Sequence, residues 1–255
     1  YFGKLLDYFD EHNLWRDTAI VLTTDHGFLL GEHDWWAKNR MPVYQEIAHI
    51  PLVIYHPDFA DKGGERRSAL TQTTDIMPTL LDIHGTEIPF EVTGHSLLPL
   101  LSNDKTIRDT AMFGFFGASC NITDGQHVYF RYPESLTAEN LFEYTLMPTR
   151  MTSRFAIDEL VDATLSPPFS FSKGVPLLRL KTRENEEGLA VECQGMPFED
   201  CETALYNLVI DPKQKTPIND PIVERRLAES MKTHMKEADA PNEMYARLGI
   251  DLLSD

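Results

Sequence analysis

The sequence has 255 residues, of which 42% are hydrophobic and 25% are charged, and its 40 acidic and 23 basic residues give a formal net charge of −17. A chain of this length can bury a sizeable core, either as one large domain or as a large and a small one. The negative charge and the scattered basic residues exclude a nucleic-acid backbone as an expected partner, and the longest apolar stretches are too short to predict a membrane segment.

The first residues predict an amphipathic helix, because apolar residues recur at the spacing of one helix face. These residues are Phe2, Leu5, Leu6 and Phe9. The pattern begins at once, with neither an initiator methionine nor a signal peptide, so we expect the chain to begin inside a larger protein.

An apolar, β-branched run at residues 18–23 predicts the first strand. The run does not alternate with polar residues, which is typical of a parallel strand covered on both faces. It ends at Asp25-His26-Gly27. Because ligands bind beyond the carboxyl ends of strands in open α/β sheets, these residues are candidates for function.

A second buried strand is predicted at residues 50–55, and a helix follows at about residues 76–83. Thr74 can cap that helix, and Gly85 can end it in a left-handed conformation. The order of strand, loop, strand and helix indicates an α/β fold.

From about Thr106 the pattern changes to short strands with turn signals, including a hairpin around Asp124-Gly125. Residues 146–187 predict a long irregular loop, and Asp220 followed by Pro221 predicts the start of a last helix. The apolar face of that helix is predicted to pack on the small sheet; it consists of Val223, Leu227, Met231 and Met235. We therefore predict that residues 1–105 form part of an α/β domain and that residues 106–255 form a smaller α+β subdomain.

The three cysteines, Cys120, Cys193 and Cys201, form neither a CxxC pattern nor a dense disulfide framework. Buried reduced thiols are the favoured interpretation. A disulfide between Cys193 and Cys201 is an alternative if the compartment is oxidising. The sequence does not indicate the compartment.

The segment from Thr23 to Lys38 carries the chemistry. Asp25 at a strand end suits a hard divalent cation, and His26 can be a second ligand or a donor to a bound anion. Lys38 adds a mobile positive charge suited to an oxyanion or a leaving oxygen. Against this, Asp-His-Gly by itself is a common turn after a strand, and a loop of charges is usually only solvated.

Other residues of the same loop leave two interpretations open. Glu32, His33 and Asp34 can line a pocket, with His33 as a candidate for substrate binding, or they can be structural and solvated. Trp35 and Trp36 can stack against a sugar or aryl group, or they can pack beneath the loop.

The order of these motifs resembles the sulfatase family of the alkaline-phosphatase-like superfamily. Its second metal-binding segment reads Ser/Thr-Asp-His-Gly, then Gly-Glu-His, then Trp-x-Lys or a close variant. The resemblance implies that Asp25 and His26 are ligands of a divalent metal ion, with Ca²⁺ favoured and Mg²⁺ or Mn²⁺ open. It also implies that Lys38, thirteen positions after Asp25, contacts the sulfate ester and stabilises the leaving oxygen. Similar motifs extend over residues 13–101 and 205–222.

The implied fold is α/β: the C-terminal part of an alkaline-phosphatase-like α/β sandwich, followed by a small α+β subdomain with an antiparallel sheet. The family's nucleophile is a formylglycine made in a Cys/Ser-x-Pro-x-Arg motif, and this sequence contains no such motif. The resemblance therefore predicts a sulfuric ester hydrolase fragment that is inactive alone, with the formylglycine in a missing N-terminal half. The expected substrate is a small-molecule or carbohydrate sulfate ester.

Two alternatives remain at this point. A phosphonate monoester or phosphodiester hydrolase of the same superfamily would share the Asp-His pair and a similarly placed lysine. A non-catalytic interaction module would leave a sheet edge exposed, and either the N-terminal half or a self-association partner would have to cover it.

Overall fold

The computed structural model describes residues 1–38, 42–190 and 200–250. The α-helices of these residues are α1 (Phe2–His12), α2 (Gln45–Ala48), α3 (Ile76–Ile83), α4 (Leu98–Ser102), α5 (Ile157–Val161), α6 (Pro221–Glu237) and α7 (Asn242–Arg247). The first strands are β1 (Ile20–Thr23), β2 (Leu29–Leu30), β3 (Trp36–Ala37), β4 (Leu52–Tyr55), β5 (Ala111–Gly114) and β6 (Cys120–Thr123). The remaining strands are β7 (His127–Arg131), β8 (Phe142–Thr145), β9 (Thr164–Ser166), β10 (Leu177–Lys181) and β11 (Ala204–Asn207).

The described residues form two compact units. The first unit contains residues 1–38, 46–88 and 94–109, and the second contains residues 42–45, 89–93, 110–190 and 200–250. The predicted division into residues 1–105 and 106–255 refers to domains of a larger enzyme and stays a prediction.

Strand β1 does not pair as its sequence predicts. It lies antiparallel to β4 in a two-stranded sheet, with Leu22 opposite Val53. The side chains of these two residues are 37% and 57% exposed. The prediction of a parallel strand covered on both faces is therefore wrong for the described residues. A continuous apolar run indicates burial in the whole protein, but it does not indicate the direction of the neighbouring strand.

The two helices predicted at the start of the chain and at about residues 76–83 are present, as α1 and α3. Helix α1 buries Phe9, and α3 is followed by Gly85 with φ +61°. The predicted cap at Thr74 is wrong, because the residue that precedes α3 is Asp75, and its side chain makes no capping bond to that helix. Its fully buried carboxylate instead accepts the backbone N–H of Gln72 at 2.7 Å, in the turn before the helix, and pairs with the guanidinium of Arg108.

The second unit contains the predicted antiparallel sheet. Its strand order is β11-β7-β6-β5, and β6 and β7 form the predicted hairpin. The predicted helix α6 is also present: Asp220 accepts the N–H groups of Ile222 and Val223, both at 3.1 Å. The side chains of Leu227, Met231 and Met235 lie in one core with residues of the sheet.

Strands β9 and β10 lie within the segment predicted to be irregular, and with β8 they form a three-stranded antiparallel sheet in the order β8-β10-β9. Helix α5 also lies there, so the prediction of one long loop at residues 146–187 is wrong for these elements. The strands pair over long distances in sequence, as Leu178 lies opposite both Thr145 and Leu165. Local patterns carry little information about such pairing.

The predicted bridge between Cys193 and Cys201 lies outside the described residues, because Cys193 is one of those that the structure does not describe. Burial raises the pKa of the Cys120 thiol to about 12, which makes that thiol unreactive. Among the helices of the described ranges, none is both long and apolar enough to cross a bilayer.

Candidate active site

A close backbone approach places the turn that follows β1. The N–H of Gly27 donates to the carbonyl of Ile47 at 2.9 Å. A Cβ atom at Gly27 would lie only 1.8 Å from the carbonyl oxygen of Glu46. Only glycine permits this approach, which fixes the direction in which Asp25 and His26 leave the strand.

The hairpin of β2 and β3 then returns the chain to the end of β1. Leu29 lies opposite Ala37, and Leu30 lies opposite Trp36. The N–H of Gly31 donates to the carbonyl of Trp35 at 3.0 Å and closes the tip. The returning strand delivers Lys38 beside the turn from which the hairpin started, so residues that are distant in sequence become neighbours.

The three predicted side chains form one cluster. The Nζ atom of Lys38 lies 2.8 Å from Nε2 of His26, and the same Nε2 lies 3.4 Å from Oδ2 of Asp25. Their predicted roles require this proximity, and the roles themselves stay predictions.

Hydrogen bonds define how the His26 ring is used. Its Nδ1 lies 2.9 Å from the carbonyl oxygen of Gly27, which can only accept, so Nδ1 carries the hydrogen and donates. The Nε2 atom is then the acceptor, and the ammonium group of Lys38 donates to it. Because Nε2 has one lone pair, it can serve Lys38 or a metal ion, but only one of them at a time.

The carboxylate of Asp25 is ionised and exposed to solvent. Its pKa lies below the ordinary value of 3.8, chiefly because its own backbone N–H donates to it. Its Oδ1 also accepts the N–H of His26 at 3.1 Å and the hydroxyl of Thr24 at 3.3 Å. The side chain of Asp25 is 82% exposed, so its Oδ2 is accessible to a ligand.

These donors fit part of a divalent-metal site. An ionised carboxylate and an imidazole nitrogen are both metal ligands, but an ion such as Ca²⁺ takes roughly six to eight donors. In the part of the chain that the structure describes, no group of three or more His, Cys, Asp or Glu side chains could hold a metal ion. Asp25 and His26 therefore fit an incomplete coordination shell.

The fourth predicted residue, His33, has a different environment. It lies at the hairpin tip with φ +51°, its side chain is 11% exposed, and its Nε2 is 3.6 Å from Oε2 of Glu46. Contact between His33 and a substrate stays a prediction. Glu46 is not among the residues predicted from the sequence, although its carboxylate and backbone both lie against the loop.

The two tryptophans of the loop also differ. Trp36 is 70% exposed, so it does not pack beneath the loop. Trp35 is partly buried.

Comparisons with known proteins give a consistent set of relatives. Residues 31–152 match a family described as N-sulphoglucosamine sulphohydrolase, C-terminal. An N-acetylglucosamine-6-O-sulfatase of Bacteroides thetaiotaomicron is 43% identical over 108 residues, which is 42% of this chain and 19% of that protein. Arylsulfatase K of Rattus norvegicus is 31% identical over 165 residues, which is 59% of this chain and 29% of that protein.

A similar solved structure is described as a complex with its substrate, D-glucosamine-2-N,6-O-disulfate. It aligns with a TM-score of 0.61 at 20% identity and covers 94% of this chain and 38% of that one. The fold is therefore shared across nearly the whole chain. The matched regions span less than a third of the length of these two relatives.

Proposed function

We propose that this chain is part of a sulfatase and that it supplies part of the active site of a sulfuric ester hydrolase that acts on a sulfated sugar. The sugar is suggested by the relative named an N-acetylglucosamine-6-O-sulfatase and by the solved complex with a glucosamine disulfate. The formylglycine nucleophile belongs to a part of the complete protein outside this sequence, so this chain has no sulfatase activity alone.

The observation that carries the proposal is the cluster of Lys38, His26 and Asp25. A sulfate monoester carries one negative charge, and more charge develops on the leaving oxygen as the S–O bond breaks. A cation aimed at that oxygen stabilises the transition state more than the ground state. Lys38 is this cation in our proposal.

Asp25 and His26 would hold a divalent metal ion, with Ca²⁺ favoured and Mg²⁺ or Mn²⁺ open. Such an ion, when bound, supplies positive charge to the sulfuryl oxygens. The bond from Nδ1 of His26 to the carbonyl of Gly27 holds the ring with Nε2 facing the cluster. If Nε2 coordinated such an ion, it could no longer accept a hydrogen bond from Lys38. The ammonium group of Lys38 would then be available to the leaving oxygen.

The proposal predicts that Lys38→Ala in the complete protein lowers kcat on a sulfated sugar by about 10²- to 10³-fold, as does loss of one oxyanion donor. Lys38→Arg keeps the positive charge but spreads it over a planar guanidinium group, so its loss of activity should be smaller than that of Lys38→Ala. Sulfate release from N-acetylglucosamine 6-sulfate measures both. Lys4→Ala, in helix α1, is the control and should leave the rate unchanged. Near-normal turnover by Lys38→Ala would contradict the role of Lys38.

The same assay distinguishes a sulfatase from the alternative, a phosphonate monoester or phosphodiester hydrolase. The cluster would also stabilise a phosphoryl group, because it presents only a cation and metal ligands. A phosphonate monoester and a phosphodiester are therefore assayed beside the sulfate ester. A higher kcat/KM on either of them would replace the sulfatase assignment.

The rest of the protein is the partner that we propose for the β1–β4 sheet. The exposed pair Leu22 and Val53 lies on one face of that sheet, and a cover for it would remove apolar surface from water. A second copy of the chain is the alternative cover.

A further inference from the structure

One face of the β2–β3 hairpin carries several large apolar side chains. Leu30 and Trp36 are opposite each other across the strands, so their side chains share a face. Phe28 precedes Leu30 by two residues and Lys38 follows Trp36 by two. Phe28 and Lys38 directly flank the two short strands, and continued alternation along the chain would place all four on the same face. The contact between Lys38 and His26, which precedes Phe28 by two residues, agrees with this assignment.

The two faces of the hairpin have different environments. Leu29, on the other face, is fully buried and anchors the hairpin. On the face that carries Lys38, the side chains of Phe28, Leu30 and Trp36 are 49%, 61% and 70% exposed. An exposed apolar group of this kind beside a charged cluster is typical of a binding site and not of a solvated loop.

The hairpin tip beside the indole ring of Trp36 is built with glycine. Gly31 has φ +120°, and a Cβ atom there would lie 3.7 Å from Nε1 of the indole, an ordinary contact distance. Any other residue at this position would be strained by the backbone conformation. A rigid, accessible indole is a large flat surface that loses little entropy on binding.

We propose that Trp36, flanked by Phe28 and Leu30, stacks on the C–H face of the pyranose ring that carries the sulfate ester. This inference rests on the proposed function of Lys38 at the ester oxygen. Lys38 follows Trp36 by two residues, a span of about 7 Å in an extended chain, so one sugar residue can place its ester at the lysine and its ring at the indole. The hairpin face therefore selects sulfate esters of alcohols that carry a pyranose ring over sulfate esters of open-chain alcohols.

The test uses the complete protein with N-acetylglucosamine 6-sulfate, an aryl sulfate and a linear alkyl sulfate. Trp36→Ala should raise KM for the sugar about tenfold, the loss expected for one aromatic stacking contact, with kcat little changed. The KM for the alkyl sulfate should not move. Trp36→Phe should restore most of the affinity for the sugar. Phe90→Ala, which removes an exposed aromatic side chain of the other unit, is the control.

Equal changes on all three esters, or an effect on the aryl sulfate alone, would overturn the inference. A loss of solubility in Trp36→Ala without a change in KM would also overturn it, since the face would then be an interface with the rest of the protein.

A second measurement does not depend on turnover. The sugar sulfate should quench tryptophan fluorescence in the wild-type protein, and this quenching should disappear in Trp36→Phe. Quenching without hydrolysis would support the stacking site and contradict the sulfatase proposal. Hydrolysis with neither quenching nor a KM effect would contradict the stacking site alone.

Discussion

Gly27 is the residue on which the position of the cluster of Asp25, His26 and Lys38 depends most directly. A methyl group there would meet the carbonyl oxygen of Glu46 at 1.8 Å, so Gly27→Ala must displace the turn or the backbone of residues 46 and 47. We expect the free energy of unfolding to fall by about 1 to 3 kcal/mol, the range for overpacking a close contact. Urea denaturation of the 255-residue protein measures this change.

Gly3→Ala is the matched control. Nothing lies within 4 Å of a Cβ atom at Gly3, which is part of helix α1. Alanine should stabilise that helix by about 0.5 to 1 kcal/mol. Equal effects of the two substitutions would show that the close approach at Gly27 does not hold the turn.

Two kinds of signal made the residues of the cluster predictable. Asp25 and His26 stand at the end of a predicted strand, and the spacing of Lys38 from Asp25 resembles that of a sulfatase motif. The contribution of Glu46 could not be predicted, because its contacts with Gly27 and His33 depend on how two separate segments pack. The exposure of Trp36 also depends on which side of the hairpin faces the core, and a two-residue strand has too little alternation to show this.

At the scale of elements, the β6–β7 hairpin depends on one carboxylate in its turn. Asp124 accepts the N–H groups of Gln126 and His127 at 2.9 and 2.6 Å and pairs with the guanidinium of Arg226. Burial raises the pKa of this carboxyl, but the bond from Arg226 and the two backbone bonds outweigh it and hold the pKa below 3.8. The turn is therefore stabilised by the ionised form.

The sign of the pH dependence follows from this depressed pKa. Asp124 contributes stability at pH values above its unfolded value near 3.8, and this contribution is lost as the pH falls through the lower folded-state pKa. Asp124→Asn should cost about 1 to 2 kcal/mol at pH 6, and the difference from wild type should shrink towards zero on acidification. Thermal unfolding at a series of pH values measures it. A difference that stays constant down to acid pH would show that charge is not the cause.

Elements with local signals were predictable, and elements with distant partners were not. Helix α6 has its cap, its proline and its apolar face within one segment, and the β6–β7 hairpin has its turn between its strands. By contrast, β10 acquires its partners β8 and β9 from distant segments. The antiparallel pairing of β1 with β4 shows the same limit, because an apolar run indicates burial and not strand direction.

At the scale of the whole molecule, the exposed face of the β1–β4 sheet should make the isolated 255-residue chain associate with a second copy. Apolar side chains on an exposed sheet favour pairing with another surface. Val53→Lys should shift the protein towards the monomer in light scattering coupled to size-exclusion chromatography. Ile157→Lys, at an exposed apolar residue of the other unit, is the control and should not. A wild-type monomer that binds no hydrophobic dye would instead favour an independent module.

The β2–β3 hairpin also determines how the members of the cluster are linked to one another. Asp25 and His26 precede the hairpin, Lys38 follows it, and the chain that joins them runs through the tip at Gly31. A single proteolytic cut at that tip would remove none of the three side chains. It would nevertheless leave Lys38 held beside His26 by non-covalent contacts alone, so the nicked protein should lose the activity that we propose for the cluster.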